Sequence, residues 1–222
     1  MSGIYYGARH WQETRERERR LLLTESLARE AELRALRYQI TPHFLFNTLN
    51  GISTLVGEGE IKPARRMIAL LGDFLRTTLE PGDDGDVTIE EELDQVRRYI
   101  AIEQVRLGDR MCVRIACAPA ARDVPIPHLL LQPLVENAIR HGIAPEPEGG
   151  VLTLSVAVEG PLVRIDVHDT GSGRRQRDDS LPSGVGLANT RERLVARYGA
   201  GHRFFAGAEG ERGWRVAIEI PA

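Results

Sequence analysis

The chain has 222 residues, 42% hydrophobic and 27% charged, with 29 basic against 32 acidic side chains and a formal net charge of −3. That balance excludes a disordered tail, a membrane bundle and bulk attraction to nucleic acid or an anionic surface. No apolar run approaches the ~18 residues of a membrane span, and residues 1–20 lack the apolar centre of a signal peptide.

Residues 9–57 read as one long helical stretch. Arg and Glu dominate residues 9–20, after which Leu21, Leu22, Leu23 and Leu27 begin an apolar stripe that Leu33, Leu36 and Ile40 continue at spacings of three and four. Alternating charges beside this seam predict a coiled-coil-like dimer segment, with a plain solvated helix as the alternative. Gly57-Glu58-Gly59 breaks the helix. The next helix has Pro63 near its first turn and Met67, Ile68, Leu71, Phe74, Leu75 and Leu79 on a wide apolar face. The two form an antiparallel hairpin. Lys62, at its start, is the only lysine in the chain. Neither a Gly-Lys-Ser/Thr phosphate loop nor the strand lysine of a eukaryotic-type protein kinase can be built from it. If this chain uses ATP, it holds the phosphates another way.

Residues 81–85 are a loop, and Thr88-Ile89-Glu90-Glu91 opens a third helix with a capping-box pattern. Ile89, Leu93, Val96, Ile100 and Leu107 are its buried stripe, and Gly108 ends it. Met111–Cys117 is a short strand. Its Cys112 and Cys117 fall on opposite faces and read as small core thiols of a reducing compartment, not as a disulfide or zinc pair. Further strands are expected at Val151–Val158, Leu162–Val167, Arg203–Ala206 and Trp214–Ile220, and helices at Pro127–His141 and Gly186–Tyr198. The class is α+β, with the change from helical to mixed character near residues 108–110.

Four polar segments stand out. In the first, His43, Asn47, Asn50 and Thr54 fall within about 60° on a helical wheel, flanked by Phe44 and Phe46, with Leu45, Leu49 and Ile52 opposite. A neutral imidazole there could accept a phosphoryl group; a solvated polar face is the alternative. In the second, Gln132, Glu136, Asn137, Arg140 and His141 share one half of a helix, suiting Mg²⁺ and a triphosphate. A simple Glu136–Arg140 pair is the alternative, and it leaves Asn137 unexplained. The third, Asp169-Thr170-Gly171-Ser172-Gly173, sets an acceptor at the end of a buried strand, where an adenine amino group could donate. The fourth, Gly184-Val185-Gly186-Leu187, opens a helix whose backbone N–H groups could face an anion. Residues 174–183 between them have the composition of a nucleotide lid.

In this order, the last three segments resemble the N, G1 and G2 boxes of the Bergerat-fold (GHKL-type) ATPases. The first, Gln-Ile-Thr-Pro-His-Phe-Leu-Phe-Asn-Thr-Leu-Asn, resembles the phosphoacceptor motif of LytS-like (YehU-like) bacterial sensor histidine kinases. Arg76, Glu91-Glu92-Leu93 and Tyr99 resemble that family's connecting helices. The resemblance implies a helical linker over residues 1–32, dimerisation and phosphotransfer helices over 33–108, and an α/β-sandwich ATP-binding domain over 109–222. It implies a histidine kinase that uses ATP and Mg²⁺, autophosphorylates on His43 and serves the receiver domain of a response regulator. By the same resemblance Asn137 coordinates Mg²⁺, Asp169 bonds adenine beside Gly171 and Gly173, and Gly184, Gly186 and Leu187 line the phosphates with Arg140 and His141. Phe44 stands where many histidine kinases have an acidic residue, so either the imidazole needs little help or Glu136 serves as base. Asn47 could orient water for phosphatase work. The chain is expected to work in the cytoplasm as a homodimer without nucleic acid. Membrane contact would come only through a sensor region these residues do not contain, of which residues 4–11 could be the juxtamembrane end. The rival readings are a serine kinase or ATPase of the same fold, a nucleotide-dependent regulator, and a phosphatase-dominant kinase.

Overall fold

The structure is a computed structural model describing residues 42–79, 85–171, 185–210 and 212–222. It divides into two compact units, Met1–Leu49 and Asn50–Ala222. The stripe at residues 21–40, the loop at 81–84, and the lid with Gly173 and Gly184 lie outside the described residues.

Helix α1 (Pro42–Gly57) begins in the first unit. There Phe44 and Thr48 are buried, Leu45 and Asn47 are half-buried, and Phe46 and Leu49 are exposed. The packed face is therefore rotated by one residue, about 100°, from the expected Leu45–Leu49 face. The Thr48 hydroxyl donates to the Phe44 carbonyl at 2.8 Å. This back-bond lets a threonine sit in an apolar face, which a polarity wheel does not anticipate.

In the second unit, α2 (Ile61–Leu79) buries Ala64, Met67, Leu71, Phe74 and Thr78 at alternating spacings of three and four. Ile68, expected on this face, is exposed. A Cβ at Gly51 would lie 3.2 Å from the Met67 methyl, so the two helices approach closely there. Strand β1 (Asp86–Thr88) leads into α3 (Ile89–Leu107). The expected capping box is present: Glu91 N–H donates to Thr88 Oγ1, and Thr88 N–H donates to the Glu91 carboxylate at 2.7 Å. Gly108, at φ +59°, ends the helix and donates its N–H to the Gln104 carbonyl. The α3 core holds the expected stripe and also Glu92, Tyr99, Ile102 and Glu103.

Thr88→Ala is expected to cost about 1 kcal/mol of stability. The Thr88 backbone and side-chain donors hold the Glu91 carboxyl below its usual range. The Glu91 half of the cap contributes above the unfolded glutamate pKa and fades as pH falls through the depressed folded value. Urea melts of both proteins at neutral and acid pH should therefore show a smaller gap on acidification, the remainder being the Glu91 N–H bond to Thr88 Oγ1.

Among the described residues, five strands form one sheet: β2 (Met111–Cys117), β4 (Gly150–Glu159), β5 (Leu162–Asp169), β7 (Trp214–Pro221) and β6 (Arg203–Ala208), in that spatial order. The β2–β4 pair is parallel and the others are antiparallel. Leu152, Leu154 and Val156, then Val163, Ile165 and Val167, then Val216, Ile218 and Ile220 are buried in strict alternation. Helix α4 (Gln132–Ala138) packs on β4 and β5, and its Leu134, Val135 and Ala138 are buried. Each fully buried aliphatic side chain here contributes about 1.5–3 kcal/mol.

Two expectations are corrected. Pro125–Pro127 is a strand, β3, paired antiparallel with β1, so the helix begins at Gln132 and not at Pro127. Proline suits an extended segment at a sheet edge, and Leu129, at φ +57°, turns the chain before the helix starts. The cysteines are not core thiols: Cys112 is exposed and Cys117 half-buried, both free. They lie on β2, an edge strand with one neighbour.

Candidate active site

The burial alternation of β5 runs Val163, Ile165, Val167 and then Asp169. A carboxylate thus occupies the strand's core face at its last position, 1% exposed. Burying a charge there is costly unless it is hydrogen-bonded. Gly171 N–H donates to Asp169 Oδ1 at 3.1 Å. Thr170 pins the strand end to β4, its N–H donating to the Val151 carbonyl at 3.1 Å and its hydroxyl accepting from Val151 N–H at 2.9 Å.

Glycines surround this carboxylate. After α4 the helix widens into a single π turn, Ile139–Ile143, with Ala144 N–H reaching back to the Ile139 carbonyl. Such turns occur often at functional sites. This one carries Gly142 against β5: a Cβ there would lie 2.1 Å from Asp169 Oδ1. A Cβ at Gly171 would lie 2.1 Å from the Gly142 carbonyl oxygen. Gly213, at φ +110°, approaches the Asp169 carbonyl from the turn before β7. Gly142 and Gly213 were missed as site residues. Gly142 is signalled by its place directly after Arg140-His141, whereas Gly213 has no local signal.

On α4, Gln132 Nε2 donates to Glu136 Oε1 at 2.8 Å. Asn137 follows, half-buried, with Arg140 and His141 exposed on the π turn. Tyr99 of α3 is buried against Phe74, their ring centroids 6.4 Å apart. Loss of solvent, then the charges of Glu103 and Glu136, hold its phenol well above the usual range. The expected helix over 186–198 is α5 (Val185–Tyr198), whose Leu187, Thr190 and Leu194 are buried. A Cβ at Gly186 would lie 3.6 Å from Pro133, so the first turns of α4 and α5 face each other. The fold thus packs α4, which carries Glu136 and Asn137, against β5, which ends at Asp169 two residues before Gly171, and against α5, which carries Gly186 and Leu187. His43 and Asn47 lie in the first two turns of α1, in the other unit.

The family model described as "Histidine kinase" matches residues 31–111. That for "Histidine kinase-, DNA gyrase B-, and HSP90-like ATPase" matches residues 122–222. The chain belongs to the histidine kinase family. Among its relatives, the sensor histidine kinase YpdA of Escherichia coli is 43% identical over 204 residues, 88% of this chain and 35% of that protein. The sensor histidine kinase/phosphatase LytS of Staphylococcus aureus is 39% identical over 148 residues, 66% of this chain and 25% of that protein. The chain spans about a third of the length of the curated relatives it matches. Its matched parts are a helical histidine kinase region followed by a GHKL-type ATP-binding domain, as expected, and its relatives include LytS-like sensor kinases. Among solved structures, the histidine kinase domain of the Erythrobacter litoralis EL346 blue-light activated histidine kinase aligns at 20% identity and a TM-score of 0.47, over 85% of this chain and 92% of that one. No helix among the described residues is long and apolar enough to cross a membrane.

Proposed function

We propose that this kinase transfers the γ-phosphoryl group of ATP to His43 and passes it on to an aspartate of a response-regulator receiver domain. An imidazole nitrogen of His43 bonds to the γ-phosphorus, the bond to the β–γ bridging oxygen breaks, ADP leaves, and the imidazole proton passes to water or to Glu136. The observation that carries the nucleotide half is Asp169: a buried acceptor, framed by glycine backbone, where an adenine amino group can donate. Gly171 lines that pocket. Gly186, Leu187, Arg140 and His141 meet the phosphates, and by the family resemblance Gly173 and Gly184, outside the described residues, belong to the same two groups. The oxygens of Asn137 and Glu136 suit a hard cation, and Asn137 is the Mg²⁺ ligand. Mg²⁺ supplies charge neutralisation to the phosphates when bound. Asn47, one turn after His43, orients water for the reverse, phosphatase direction.

In this reading residues 1–32 are a helical linker, 33–108 dimerise and carry the phosphoacceptor, and 109–222 bind ATP. The partner in the dimer is a second copy, a role supported by exposed Val56, Ile61 and Ile68 on α1 and α2. The kinase works in the cytoplasm, where ATP and receiver domains are found.

Incubation with γ-labelled ATP and Mg²⁺ tests this. Base-stable, acid-labile label on the protein is the expected result. ATP bound without any label would favour a nucleotide-dependent regulator.

A further inference from the structure

Glu92 is a charged side chain in the core of α3, 1% exposed. It does not pair with a neighbour on its own helix. Its carboxylate reaches the turn before α4, accepting from Leu129 N–H on one oxygen and from Leu131 N–H on the other, the latter at 3.0 Å. Leu129, at φ +57°, is the one described non-glycine residue in the left-handed region, a strained place for a bulky side chain. From α5, Arg193 donates to the carbonyl of His128 in the same turn. Leu130 and Leu131 are fully buried, and Gln132 follows at once as the first residue of α4.

No spare residue separates this turn from α4. Asn137 lies six residues beyond Leu131, about 9 Å along a helix. The turn thus joins α3 to the helix carrying Glu136 and Asn137, and to the helix whose first turn carries Gly186 and Leu187.

We infer that Glu92 is a positioning residue for nucleotide binding, its carboxylate holding the strained Leu129 turn so that α4 presents Asn137 correctly. This rests on the nucleotide site proposed above. Its two oxygens answer two N–H donors, an arrangement that favours the carboxylate. Burial is the larger effect and holds its pKa above the usual range, against the pull of the Leu131, Leu129 and Leu130 N–H groups and the Arg193 charge.

Glu92→Gln tests this, because glutamine keeps the size but offers one acceptor and turns an NH₂ toward the second N–H. With the full chain and a fluorescent ATP analogue, E92Q is expected to raise the nucleotide Kd about tenfold. Thr88→Ala, which weakens the start of the same helix without touching the turn, is the stability control. It should leave the Kd within about twofold of wild type. Amide exchange at Leu129 and Leu131 should speed up in E92Q and not in T88A. An E92Q Kd equal to wild type overturns the inference, as does an equal Kd loss in T88A. Should E92Q fail to fold, Arg193→Gln, exposed and bonded to the same turn, should raise the Kd about threefold, and an unchanged value there overturns it. A wild-type chain that binds no analogue refutes the nucleotide site itself, which separates the two failures.

Discussion

His43→Gln is expected to lower acid-labile label on the protein by about 10³-fold or more, to background, while ATP remains bound. Glutamine approximates the size and polarity of histidine, so the helix start after Pro42 should survive. An amide nitrogen, however, is not a nucleophile for phosphorus. The nucleotide-binding residues belong to the other compact unit. The Kd of an ATP analogue should therefore stay within about twofold of wild type, as for independent sites. Filter-bound label before and after acid and alkali, with a titration of the analogue, reads both quantities. Label persisting in the variant would mean that another side chain is the acceptor. Loss of both label and binding would mean that His43 supports the fold and has no separate chemical role.

Gly142→Ala is expected to have the largest effect on nucleotide binding. Its Cβ would stand 2.1 Å from Oδ1 and 2.3 Å from Cγ of Asp169, well inside any tolerable contact. Either the carboxylate rotates out of its place or the π turn moves off the sheet. Overpacking of this kind costs about 1–3 kcal/mol of stability. The loss in binding should reach the upper part of that range, because the displaced group is the proposed adenine acceptor. A Kd rise of about 100-fold corresponds to about 2.7 kcal/mol. Asp169→Asn should match it without the clash, since it replaces one acceptor oxygen with a donor. Gly72→Ala supplies the contrast. It lies inside α2 with nothing within 4 Å of an added Cβ, so it should stabilise by about 0.4–1 kcal/mol and leave the Kd unchanged. Wild-type affinity in G142A, measured by calorimetry beside a thermal melt, would remove the close approach of α4 and β5 from the site.

Both experiments begin from residues of different legibility. His43 stands out in the sequence through its string and its neighbours at helical spacing. Asp169 stands out as an acid closing an apolar strand. Gly142 looks like a helix end, and only the meeting of the π turn with β5, 27 residues later, shows what its missing side chain permits. Glu92 is the sharper case. It sits between Glu91, an exposed capping carboxylate, and Leu93, a core residue, and nothing in that triplet says which acid is buried.

Local physics accounts for what was readable in advance. Helical periodicity located α2 and α3, because burial on one face repeats every three or four residues. The capping box and Gly108 marked the ends of α3, because those devices act within one turn. Alternation located β4, β5 and β7 for the same reason at period two. The ordered polar segments led to the family by resemblance. Where the reading failed, the deciding partner was distant in sequence. Pro125–Pro127 became a strand because β1 lies 39 residues away to pair with it. The cysteines lost their core place because β2 ended at a sheet edge. The face of α1 turned by one residue because a threonine can satisfy its own hydroxyl and be buried. The sequence by itself determined the long helices, the strands of the main sheet, the order of the motifs and the family. The tertiary structure alone decided which acids are buried and which glycines admit a neighbour, because burial and close approach depend on atoms that only folding brings together.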